Sequence, residues 1–171
     1  MKKFLLVLAV AASSVAASAQ VFVGGALGLN NTKSMGVEVT NVTIAPEVGF
    51  ALNDQWTLAT TLSYTLSSPK NGLDVSVFEF NPYARLTAAK WGAVSLIFDG
   101  GVGLNWSKVE GSDSKFGWSI GIKPGLAVNL SKNVTFVTHL GALGYEDRAN
   151  VETFGYNFNT TNVNFGVYYN F

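Results

Sequence analysis

Apolar side chains recur at every second position along most of this chain. The last ten residues show it most plainly: Val163, Phe165, Val167, Tyr169 and Phe171 form an unbroken apolar row, interleaved with Asn162, Asn164, Gly166, Tyr168 and Asn170. A period of two marks a strand whose two faces meet different surroundings. Eight such segments can be read: about 20–30, a second ending over 42–52, then Trp56–Thr65, Val75–Thr87, Trp91–Trp106, Lys115–Leu130, Val134–Tyr145 and the C-terminal stretch. One stretch breaks phase, because Phe154, Tyr156 and Phe158 have the opposite parity to the terminal row. Either a bulge near Thr161 resets the alternation or this segment projects beyond the others, where its aromatic residues could meet a partner.

Turn chemistry separates the segments. Short turns are predicted at Asn53-Asp54-Gln55, Ala88-Ala89-Lys90 and Ser131-Lys132-Asn133, and four longer polar loops near residues 33, 70, 111 and 150. Alternating short and long connections, with both termini on the short-turn side, are the layout of a transmembrane barrel. Pro46, Pro82 and Pro124 each stand in an apolar row about six residues before a short turn. Proline lacks a ladder donor, so a local bulge or widened register is expected at each.

Charge placement decides which face is lipid. Arg or Lys on the lipid face of a membrane barrel costs about 2–4 kcal/mol near the midplane. No apolar row contains Asp, Glu, Lys or Arg; the strand charges Glu47, Glu79, Arg85, Asp99 and Lys123 all have the opposite parity. A soluble barrel of the lipocalin kind would point its apolar row inward and its charges outward. This chain does the reverse, so the expected fold is all-β: an eight-stranded antiparallel up-and-down transmembrane β-barrel.

Composition sharpens this picture. Met1-Lys2-Lys3, the apolar run Phe4–Ala12 and the small residues Ala17-Ser18-Ala19 read as a secretory signal peptide over residues 1–19, leaving 20–171 as the barrel domain. The apolar run is too short to span a bilayer as a helix. Charged residues are 13% of the chain, about half the usual globular share. Without Lys2 and Lys3 the mature chain has two more acidic than basic groups, which gives no electrostatic case for nucleic acid. Cysteine is absent, which excludes disulfides, thiolate metal sites and a lipid-modified N-terminal cysteine.

An eight-stranded lumen is just wide enough for side chains to fill it. Glu47, Glu79, Tyr83, Arg85, Asp99, Lys123, His139 and Tyr168 have lumen parity. Their charges should pair with one another, because isolated buried charge is costly. Such a cluster reads as a structural plug or as a narrow path for protons or ions. His139 is the only histidine; it has no adjacent serine pattern for nucleophilic chemistry and too few companions for a metal. No cofactor is implied. The strings Gly24-Gly25-Ala26-Leu27-Gly28 and Gly100-Gly101-Val102-Gly103 precede no helical pattern, so they are small strand positions and not a dinucleotide fingerprint. Trp56 and Trp91 near the short turns, and Trp106 and Trp118 near the longer loops, would form two interfacial aromatic belts.

Signal peptide, eight strands, proline-marked hairpins and terminal Phe171 together resemble the small outer-membrane β-barrel family. That family includes OmpX and the transmembrane domain of OmpA, and the likeness is greatest to the porin-family barrels of Bacteroidetes-type bacteria. The resemblance covers the whole mature chain and implies export to a Gram-negative outer membrane, contact with its lipid and a monomeric state. It also implies that Val163, Phe165, Val167, Tyr169 and Phe171 are the signal read by the barrel-assembly machinery. A non-enzymatic role in envelope integrity or surface interaction through the four longer loops follows. A small ion or solute channel is the alternative, and a lipid-modifying enzyme a more distant one.

Overall fold

The computed structural model describes residues 20–34, 37–70, 72–148, 151–157 and 164–171; the predicted signal segment lies outside them. The described residues form ten strands: β1 (Val21–Ser34), β2 (Val37–Ala51), β3 (Trp56–Pro69), β4 (Val75–Trp91), β5 (Val94–Val109), β6 (Lys115–Asn129), β7 (Val134–His139), β8 (Ala142–Arg148), β9 (Val151–Asn157) and β10 (Asn164–Asn170). They make eight staves, the seventh from β7 and β8 and the eighth from β9 and β10.

Neighbours along the chain pair antiparallel from β1 through β6. The inner half of β6 pairs with β7 and its outer half with β8. Between β7 and β1 lies β10, which closes the ring: Phe22 faces Asn170 and Gly25 faces Val167. The C-terminal row thus completes the barrel against the first strand, as the alternation requires. Closure satisfies the backbone groups that an open edge would leave bare in lipid.

Burial alternates with the predicted sign. Along β2, Val42, Ile44, Pro46 and Val48 are exposed while Glu47 and Gly49 are buried. The outer wall elsewhere presents Leu58, Leu62, Tyr64, Ile120, Ile122, Phe165, Val167 and Tyr169.

The turns at 53 and 131 are where the sequence places them. Asn53 Oδ1 accepts the amides of Gln55 and Trp56 at 2.9 and 2.8 Å, and Ser131 Oγ accepts that of Val134 at 3.1 Å. The middle turn is not. A register shift between Thr87 and Ala89 carries β4 on through Trp91, and the reversal falls at Gly92-Ala93, with Gly92 at φ +62°. Trp91 therefore ends the fourth strand instead of opening the fifth; its outward direction survives because the bulge at Ala88 resets the phase.

The prolines interrupt the ladder, though none by a bulge in its own strand. At Pro46 and Pro82 the register holds on both sides, and only the pairing toward the next strand lapses, over Ala45-Pro46 and Asn81-Pro82. At Pro124 the partner strand bulges instead: Ile122 faces Leu143 and Gly125 faces His139, so one extra residue is taken up on the β7–β8 stave. Gly141, at φ +110°, supplies the backbone conformation there. The eighth stave answers it. Phe154 on β9 and Phe165 on β10 are both exposed despite their opposite parity, so the predicted change of phase falls between Asn157 and Asn164; Phe158 and Thr161 themselves lie outside the described residues.

The first six strands have 14–17 residues, whereas a tilted membrane strand needs about 9–11. The surplus, roughly five residues a strand, carries paired wall about 12 Å beyond the apolar zone. Ser34 pairs with Val37 and Arg148 with Val151. The expected longer loops near 33 and 150 are thus largely hydrogen-bonded ribbon, whereas five residues still separate β3 from β4 and five separate β5 from β6.

Candidate functional site

The lumen is built in three levels. Nearest the short turns, Phe22, Ile97 and Val137 are buried together with Tyr168, and Ala59 and Ala127 pack against them. Phe22 and Tyr168 meet edge to face at 5.2 Å between ring centres. Glycine makes room for both rings: a methyl at Gly49 would lie 2.6 Å from the Phe22 ring, and one at Gly24 would lie 2.5 Å from Tyr168.

Above this apolar floor sits an ionic cluster. Arg85 grips Asp99 bidentately, Nε to Oδ1 and Nη2 to Oδ2 both at 2.7 Å. That planar fork is the strongest ion-pair geometry available to a side chain. The pairing follows from register, since Arg85 and Asp99 stand directly opposite on β4 and β5. His139 Nε2 closes on Asp99 Oδ2 at 2.7 Å. On the other side Arg85 Nη2 lies 3.8 Å from Glu47 Oε1, and the hydroxyls of Tyr83, Thr61 and Tyr168 all donate to Glu47. The guanidinium also lies 5.4 and 5.6 Å from the ring centres of Tyr83 and Tyr168.

Six of the eight lumen residues expected from parity therefore converge: Glu47, Tyr83, Arg85, Asp99, His139 and Tyr168. Two do not. Glu79 shares the β4 row with Arg85 but stands six residues away, about 20 Å along a strand, and accepts a bond from Asn81 Nδ2 at 2.8 Å instead. Lys123 faces Asp99 in register yet stays exposed and makes no ion pair among the described residues. Asp99 already has both oxygens engaged by Arg85 and His139, which leaves that ammonium to solvent.

The third level opens outward. A cavity of about 710 Å³ is lined by Val75, Val77, Ser107, Lys115, Glu146 and Thr153 among others. Two residues from Ser107 along β5, Asn105 is wholly buried. Parity puts Asn81 on the same row as Glu79 and Arg85 without assigning it a role, and by itself it marks neither Asn105, Thr61 nor the floor as site residues. The signal for the floor was present: Phe22, Ile97 and Val137 occupy the wet parity of their strands.

The four tryptophans are all exposed on the outer wall. Trp56 and Trp91 stand at the short-turn end, as does the Tyr169–Phe171 pair, whose ring centres are 5.0 Å apart. Toward the other end, Trp106 packs at a tilt between Phe78 and Phe116, and Trp118 packs at a tilt against Tyr145. Phe165, Val167, Tyr169 and Phe171 all point outward; Val163 lies outside the described residues.

Comparison with known proteins agrees with this architecture. The family model for the outer membrane protein beta-barrel domain matches residues 4–171, and the chain belongs to that family, placing it in the lipid of the Gram-negative outer membrane. Among solved structures it is similar to Neisserial surface protein A, at 17% identity and a TM-score of 0.56, covering 90% of this chain and 96% of that one. It is also similar to Ail, the attachment invasion locus protein of Yersinia pestis, solved with the heparin analogue sucrose octasulfate, at 18% identity and a TM-score of 0.54, covering 90% and 99%. At such identities the likeness is one of fold. No curated protein matches the sequence.

Because Arg85 is, among the described residues, the only cation in direct contact with both Glu47 and Asp99, removing it leaves two carboxylates in a side-chain-filled lumen. Breaking a buried pair in this way costs about 3–5 kcal/mol. Arg85→Met should lower the urea midpoint of the barrel, followed by its heat-dependent shift in gel migration, by a corresponding amount. A midpoint equal to wild type would show that the cluster contributes nothing to holding the staves together.

Proposed function

We propose that this outer-membrane barrel is a non-enzymatic, non-conducting monomer that supports the envelope and meets external partners through its protruding ribbons. The observation that carries the reading is the closed lower lumen. An apolar floor lies beneath an ion cluster in which Glu47, Arg85 and Asp99 each have a charged partner, and a hydrated ion would have to break both levels to cross. His139 is held against Asp99 within the lumen, and no serine or threonine hydroxyl bonds to it among the described residues, which supports a positioning role over a nucleophile-activating one. The paired outer ends of β1 to β6 are where a partner could dock without touching the membrane wall. The tryptophans at the two ends of that wall suit the two lipid–water interfaces.

Planar-bilayer recording tests the closed lumen. The purified barrel should give no stable unitary conductance. Steady openings whose size changes in Arg85→Met would replace this reading with that of a small channel.

The terminal strand supports a second part of the proposal, recognition by the barrel-assembly machinery. Its exposed row stays available while the strand closes on β1, where the Phe171 amide donates to the Val21 carbonyl at 2.9 Å. Deleting Phe171 should reduce the amount of folded protein in the outer membrane several-fold. Unchanged levels would assign the assembly signal elsewhere.

A further inference from the structure

The alternation along the strands changes sense where they leave the lipid. At the outer aromatic belt, Tyr64, Phe78 and Trp106 stand side by side on the outward row of β3, β4 and β5. Beyond it the outward row turns polar. Asn31 donates to Glu38 and Thr40 at 3.2 and 3.1 Å, Lys70 lies 3.6 Å from Glu38, and Ser76 pairs with Lys108 in register.

The lumen row does the opposite. Val75 and Val77 continue the row of Glu79, Asn81 and Arg85, and Val109 continues that of Asn105 and Ser107. Val75 and Val109 are direct cross-strand partners, and Val39 and Pro69 meet in the same way on β2 and β3. Polar outside and apolar inside is the pattern of a sheet in water.

In water such an inner face is normally packed against another layer. Here Val75, Val77 and Val109 instead line the open cavity of about 710 Å³, and Val109 remains 38% exposed. Because they face the lumen, lipid does not account for these valines, and the ion cluster below them is polar. The volume and lining are those of a small-molecule site. Such pockets hold about 300–1,000 Å³ and combine an apolar wall with a few placed polar groups. Ser67 and Ser107 supply hydroxyls to this cavity, and its charged members, Asp113, Lys115 and Glu146, are of both signs. Mixed charge gives little selection for a charged ligand, whereas hydroxyls suit a single polar substituent.

We propose that the protruding ends of β3, β4 and β5 wall a cup, open to the exterior, for an uncharged apolar molecule of drug-like size seated against Val75, Val77 and Val109. The cup lies above the ion cluster, so its occupancy requires no passage through the lumen and does not depend on whether the barrel conducts.

Fluorescence titration with N-phenyl-1-naphthylamine, a neutral apolar fluorophore that brightens on leaving water, tests the cup in the mature barrel held in lipid nanodiscs. Empty nanodiscs measure uptake by the lipid, and heat-dependent gel migration reports the folding of each variant. Wild type should add one saturable component to the lipid background. Val77→Asp sets a charge in the apolar wall and should weaken that component about tenfold. Val109→Asp, at a partly exposed position where a charge is easily hydrated, should do the same. Ser76→Asp is one residue from Val77 but faces outward, and should leave binding unchanged. Absence of a saturable component in folded wild type would overturn the proposal. So would binding that Val109→Asp and Val77→Asp leave intact, or that Ser76→Asp weakens equally, because the probe would then sit outside the cup.

Discussion

The bidentate contact between Arg85 and Asp99 is the interaction on which the interior of this barrel depends. It spans β4 and β5, reaches β2 through Glu47, and draws in β7 through His139 and β10 through Tyr168. With Thr61 on β3 also donating to Glu47, six of the eight staves are cross-tied by one guanidinium and the two carboxylates around it. In a membrane barrel the outer wall gains nothing from clustering its apolar side chains, because lipid is as apolar as they are. Specificity of shape must come from the backbone ladder and from whatever fills the lumen. Arginine suits that task better than lysine, since its planar fork satisfies two carboxylate oxygens at once while remaining charged.

Lumen contents also explain where the small residues fall. Gly24 and Gly49 stand where the rings of Tyr168 and Phe22 need space, and Gly101 where Tyr83 does. Within the glycine-rich strings that superficially suggest a nucleotide loop, Gly24 and Gly101 each stand directly beside an aromatic residue of the neighbouring strand. Large and small alternate so that an interior only as wide as a few side chains can close at one end and stay open at the other.

The fold was legible because a membrane barrel writes its constraint at every second residue. Val42, Ile44, Val48 and Phe50 on one side of Glu47 and Gly49 left one arrangement compatible with lipid, and β1 to β6 follow it. What was not legible depended on single-residue phase changes. The bulge at Ala88 moved a turn to Gly92-Ala93, and the bulge at Gly141 was invisible because the apolar row resumes on either side of it. The site was legible in membership but not in depth. Parity placed Glu79 and Arg85 on the same face, but only distance along the strand separates them. Parity says nothing of which carboxylate a lysine reaches, so Lys123 was grouped with a cluster whose acceptors were already engaged. The polar rule also hid the floor, since Phe22, Ile97 and Val137 are apolar residues on the wet row.

The central claim is a lumen wet from the outside and sealed from below. Because the chain has no cysteine, single cysteines can report it in intact cells with a membrane-impermeant thiol reagent. Ser107→Cys lies on the wall of the outer cavity, and Ser95→Cys lies buried beyond Ile97 toward the short turns. The account predicts rapid labelling of the first from outside and none of the second while the barrel is folded. Labelling of both at comparable rates would mean that the floor and the Arg85 cluster do not close the barrel.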